Sequence, residues 1–172
     1  MAATATMKVY TGISAATENP DAAPGTNAAT FNFLSIDAYD AGTTYQSNPI
    51  YVPLSGTQYS YERWIRIYFS GAFATVNNIK IYKSSGIFSD AALSINAGVT
   101  SVASTPVMTS SAIALVSIPI TAASALDATP AGAPLVAPGY SKYIILQLVV
   151  PSSVITPNDM GTITYTITWD ET

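Results

Sequence analysis

The stretch RWIRIYFSGAFATVNNIKIYK, Arg63 to Lys83, decides how the chain folds. In its first half Ile65, Ile67 and Phe69 fall on one side and Trp64, Arg66 and Tyr68 on the other. That period of two, carried by β-branched and aromatic residues, is what a strand with one core-facing side requires. Ser70-Gly71 breaks the run, and the alternation resumes at Ile79 and Ile81 after Asn77-Asn78. The pattern predicts two strands joined by a turn, a hairpin-like unit within the core of a β-sandwich.

Outward from this unit, two further segments carry the same signal. Lys142–Val150 places Ile144, Leu146, Leu148 and Val150 on one side and Tyr143, Ile145, Gln147 and Val149 on the other. A strand so apolar throughout is expected to be buried on both faces. In Thr162–Trp169, Ile163, Tyr165, Ile167 and Trp169 point inward against outward threonines. If Trp169 is fully buried, its replacement by alanine costs about 3–5 kcal/mol. Trp64, Ile67, Leu146, Ile167 and Trp169 are all assigned to the fold.

Weaker strands are expected over Phe31–Ala38, Ile50–Leu54 and Ile113–Ile120, the second and third limited by Pro53 and Pro119. Between Ser84 and Pro106 the signal fades into Ser, Gly, Ala and Val. Asp127–Tyr140, with three prolines and two glycines, is a long surface connection. No segment sustains a helical period. The expected fold is therefore all-β, an antiparallel β-sandwich with jelly-roll or immunoglobulin-like connections over residues 31–172. Residues 1–30 are small and polar, with Pro20, Pro24 and Gly25 close together, and read as an extended N-terminal arm with one short strand, anchored by Val9, Tyr10 and Ile13 and ordered mainly by contact with a partner.

Composition excludes much chemistry. The 172 residues contain neither histidine nor cysteine. The commonest general base, the Ser-His and Cys-His nucleophile systems and thiolate metal sites are therefore out of reach. No GxSxG, P-loop or GxGxxG pattern occurs. The ten acidic residues are scattered, with Asp37–Asp40 and Asp170-Glu171 among the close pairs. The first pair resembles a sparse Ca²⁺ loop but lacks the ligand density of an EF-hand. The reading is a non-enzyme without a cofactor.

Charged residues make up 9% of the chain, against roughly 25% in soluble domains. Thr, Ser, Asn and Ala must cover the surface, which suits packing against copies or a large partner. A net charge of −4 argues against nucleic acid as that partner. The uncharged span Ala91–Leu126 is too interrupted by Pro, Asn and Ser to be a membrane helix, and no membrane association is expected. Arg63 and Arg66, with Lys80 and Lys83, are candidates for a small basic patch, although Arg66 paired with a carboxylate and stacked on an aromatic ring is the favoured reading. Eleven tyrosines suit contact surfaces or, alternatively, platforms for a sugar.

WIRIYFSGAFATVNNIKIYKSSG, together with YIILQLVVP and the closing TITYTITWDET, resembles small β-rich virion proteins of tailed bacteriophages. The resemblance implies a capsid decoration or cement subunit on the particle surface, often homo-oligomeric, with the major capsid protein or other virion proteins as partners. A tail or fibre domain that binds a host glycan is the alternative. Partner contacts are expected in the arm, at Tyr10, Ile13, Pro20 and Pro24, and in the proline-rich loop, at Pro134, Leu135 and Tyr140.

Overall fold

A computed structural model describes residues 2–13, 26–39, 44–130, 134–155 and 161–172. Within them the chain is all-β and antiparallel. The strands are β1 (Thr4–Tyr10), β2 (Thr26–Asn27), β3 (Thr57–Tyr59), β4 (Arg63–Ser70), β5 (Val76–Ser85), β6 (Ser94–Thr100), β7 (Val116–Ser117), β8 (Leu126–Asp127), β9 (Gly139–Tyr140), β10 (Tyr143–Pro151) and β11 (Thr164–Glu171). A helical turn, α1 (Thr44–Ser47), and a 3-10 turn, Ala122–Ser124, interrupt them. The larger sheet runs β2-β1-β4-β10-β6-β7, with β3 on β10 and β9 on β4; the smaller runs β11-β5-β8.

The two halves of Arg63–Lys83 do not form a hairpin. β4 lies in the larger sheet between β1 and β10, whereas β5 lies in the smaller between β11 and β8. Gly71, at φ 97°, turns the chain out of β4. The amides of Ala74 and Thr75 then donate to the Thr172 carbonyl as the chain reaches the other layer. Ile65, Ile67 and Phe69 from one sheet and Val76, Ile79 and Ile81 from the other fill a single core. A period of two says that each strand has one apolar face. It does not say whether the strands share a sheet or oppose one another across the core.

β10 is buried on both faces, as expected. Ile144, Leu146, Leu148 and Val150 enter the core between the sheets. Tyr143 and Ile145 join Tyr10, Ile13, Trp64 and Ala103 in a second cluster, against which Ile113 and Leu115 pack. Trp64 and Tyr143 meet edge-on at 5.5 Å, and Tyr10 and Tyr143 at 5.6 Å. The segment that carries Ala103, Ile113 and Leu115 therefore covers the outer face of the larger sheet. The Gln147 amide tethers it by donating to the carbonyls of Val107 and Thr109, and also to Ser60.

The central ladder breaks twice, and a buried serine repairs each break. Ser60 sits between β3 and β4, where its hydroxyl accepts the Leu148 N–H and donates to the Tyr61 carbonyl. Ser141 sits between β9 and β10, where its hydroxyl accepts the Ile67 N–H and donates to the Lys142 carbonyl. In both places a hydroxyl satisfies a backbone donor that would otherwise be buried unpaired. β3–β4 and β9–β10 thus act as two long, irregular strands.

Several sequence expectations need correction. The arm's short strand is not ordered by an outside partner: β1 pairs with β4 of the same chain along its whole length. Val9 and Tyr10 are buried because this strand extends both faces of the larger sheet, Val9 into the main core and Tyr10 into the outer cluster. Phe31–Ala38 and Ile50–Leu54 form no strand, and only Val116–Ser117 of Ile113–Ile120 does. Their apolar residues pack as loops instead, with Phe31, Phe33, Ile50 and Val52 against the main core. β6 pairs with β10 over seven residues where the sequence signal had faded. Its inward residues Ile95 and Ala97 are small to medium, and its Gly98 allows Leu115 close approach, since a Cβ there would lie 2.7 Å from Leu115 Cδ2.

Candidate interaction surfaces

The residues expected to contact a partner scatter. Tyr10 and Ile13 are buried in the second cluster, so their side chains serve the chain's own fold. Pro20 and Pro24 lie outside the described residues. Pro134 is exposed, whereas Leu135 is pinned by two backbone hydrogen bonds to Val76 and packs on the core. Tyr140 is half-buried against Tyr68, with ring centroids 4.7 Å apart.

The expected basic patch does not assemble. Arg63 is 1% exposed and donates to the carbonyls of Asn32 and Ile36. Lys80 lies on the smaller sheet opposite Asp127, and Lys83 lies 5.9 Å over the Phe88 ring. Arg66 stacks on aromatic rings as anticipated, but its Nε donates to the Ser141 carbonyl and not to a carboxylate. Among the described residues no group of three or more acidic side chains is placed to hold a metal. Asp37 Oδ2 accepts the Gly12 N–H at 2.7 Å, and Asp40 lies outside the described residues.

Two surfaces stand out. The first is a cleft of about 660 Å³ where the sandwich opens between the β1 edge and β11, lined by Met7, Phe31, Phe33, Tyr165 and Ile167 among others. Phe31 stacks on Tyr165 with centroids 6.2 Å apart and planes 10° from parallel. Among the described residues the lining carries no charged side chain, and what it offers is apolar and aromatic surface. The Tyr165 hydroxyl is buried with no hydrogen-bond partner among the described residues, and burial pushes its pKa well above the ordinary 10. Below pH 10 both folded and unfolded chains hold this proton; above it the unfolded chain loses it first, and stability falls. Tyr165→Phe is expected to raise stability by about 1 kcal/mol at neutral pH, because no hydrogen bond is lost. The same variant loses less stability than wild type above pH 10. Urea titrations at pH 7 and pH 10.5 check both statements.

The second surface is one end of the sandwich. Ser152 donates to the Gly56 carbonyl, and Asp90 Oδ2 accepts the Ile155 N–H. These bonds gather three loops, around Leu54, Ile87 and Ile155. At their tips Leu54 is 105% exposed, Ile87 88% and Ile155 87%. Single exposed apolar residues are ordinary; three on loops tied together are the composition of an interaction surface. Short apolar stretches among Ser, Pro and Gly gave no periodic signal, so the sequence did not single out this end.

No family model, curated protein or solved structure matches the chain. The class its structure defines is an all-β antiparallel sandwich with a second apolar cluster on its outer face.

Proposed function

We propose that the chain is a non-enzymatic structural subunit of a tailed-phage particle, a capsid decoration or cement protein on the outside of the head lattice. The observation that carries this reading is the apolar end presented by Leu54, Ile87 and Ile155 on a chain with few charges. The pattern resemblance to β-rich virion proteins supports it. Burying such a side chain contributes about 1.5–3 kcal/mol. Repetition over a lattice, or linkage within a homo-oligomer, multiplies that gain through effective concentration. Hydrogen bonds already tie the three loops to one another, which lowers the ordering cost of docking.

The test mixes purified protein with empty phage heads that lack accessory subunits. Saturable co-sedimentation is expected, and it should be lost in the Leu54→Ser, Ile87→Ser, Ile155→Ser triple variant while the melting temperature holds. A protein that ignores heads and adheres to host polysaccharide overturns the reading in favour of a tail or fibre domain that binds a glycan.

A further inference from the structure

On the outer face of the larger sheet, Lys8 of β1 and Arg66 of β4 are direct cross-strand partners. Like charges so placed repel, at Cβ separations of about 5 Å. Each of the other four cations has a different environment. Lys80 and Lys142 both draw on Asp127, whose pKa is lowered by its hydrogen bonds to Thr129 and then by these two lysines. Lys83 caps Phe88, and Arg63 is held by carbonyls inside the fold. Among the described residues, Lys8 and Arg66 meet no carboxylate.

Arg66 is also held in place. Its guanidinium lies 4.6 Å from the Tyr143 ring centroid and 4.9 Å from that of Tyr140, and Nε is fixed on the Ser141 carbonyl at 2.7 Å. The two Nη groups, the half of the fork that binds a carboxylate side by side, carry no hydrogen bond among the described residues. Tyr68, tilted against Tyr140, borders the pair and is itself half-buried. A held arginine, a second cation and flanking tyrosines have the composition of an interface hot spot.

We infer that the Lys8–Arg66 pair, with Tyr68 and Tyr140, is a docking site for aspartate or glutamate carboxylates of a partner protein. Charge complementarity selects the occupant. Among the described residues, the acids of a second copy are engaged in its own fold: Glu171 accepts the Ala3 N–H, Asp170 accepts from Asn78, Asp37 accepts the Gly12 N–H and Asp90 accepts the Ile155 N–H. The inference takes from the proposed function only that the partner is a protein, and it concerns a different face from the apolar loops.

The experiment titrates the ¹⁵N-labelled full chain with hexaglutamate at low salt, with hexaglutamine and a galacturonate hexamer as comparisons. Saturable shifts at Lys8, Arg66, Tyr68 and Tyr140 are expected from hexaglutamate and none from hexaglutamine. Lys8→Gln should weaken binding about fivefold with no fall in melting temperature, since it relieves a repulsion. Arg66→Lys, which keeps the charge but loses the fork, should weaken it similarly. Shifts absent or spread over the surface, or affinities unchanged in both variants, overturn the inference. Tighter binding of galacturonate overturns the protein assignment in favour of an acidic carbohydrate. Failure to sediment with heads would leave this titration untouched, so the two readings fail separately.

Discussion

Replacing Trp64 by alanine should lower the unfolding free energy by about 3–5 kcal/mol. The side chain is wholly buried and forms the centre of the outer cluster, edge-on to Tyr143. Its indole N–H is also the donor to Glu62 Oε2, at 2.8 Å. Glu62 is 2% exposed and its other carboxylate oxygen has no partner among the described residues. The substitution therefore opens a cavity and strips a buried carboxylate of a donor, and both effects destabilise. Trp169 gives the comparison. It packs edge-on against Phe69 at 5.4 Å but lies half-buried on the outermost strand of the smaller sheet. Trp169→Ala should cost about 1–3 kcal/mol, less than full burial would imply. Paired urea denaturation curves of the two variants check the ranking; equal losses would contradict the placement of Trp64.

Gly86→Ala should destabilise by about 3 kcal/mol, through left-handed backbone strain and a steric overlap together. Gly86 has φ 94°, and a Cβ there would stand 2.2 Å from the Thr162 carbonyl oxygen and 2.9 Å from Ile163 Cα. Both obstacles are backbone, so no rotamer relieves them. The start of β11 must move away from the end of β5, where Thr164 pairs with Ser85. Hydrogen exchange at Thr164–Ile167 should accelerate more than in the larger sheet. Gly12 separates the two contributions: its φ is 61° but nothing among the described residues lies within 4 Å of a Cβ. Gly12→Ala should cost only the strain, about 1–2 kcal/mol.

What could be read from the chain alone follows from what alternation encodes. The inward residues of β4, β5, β10 and β11 were legible because each face is a clear run of Ile, Leu, Val or an aromatic residue. Burial of β10 on both sides was legible for the same reason. Which strands pair was not. Ile65 and Ile79 belong to the same core in a hairpin and in a sandwich alike, and five residues, Gly71 to Thr75, suffice for either connection. The place of β1 in the sheet was not legible, because Thr4, Thr6 and Lys8 alternate with Ala5, Met7 and Val9 too weakly to stand out, although its neighbour β4 needed a partner. Ser60 and Ser141 looked like breaks in the pattern; in the fold their hydroxyls carry the ladder across those breaks.

The surfaces were less legible still. Cross-strand register, invisible in one dimension, brings Lys8 to Arg66 and separates Arg66 from Lys80 and Lys83. The apolar end depends on hydrogen bonds between loops distant in sequence, such as Asp90 to Ile155.

The cleft, the cationic face and the apolar end all depend on β4 and β5 lying in different sheets. Backbone proton contacts measured by NMR on labelled protein test this most directly, because neighbouring strands lie about 5 Å apart and facing sheets about 10 Å. The expected result is a set of cross-strand contacts from Ile65 to Ile144 and from Ile81 to Ile167. Backbone contacts from Ile65 or Ile67 to Ile79 or Ile81 would restore the hairpin and contradict the account.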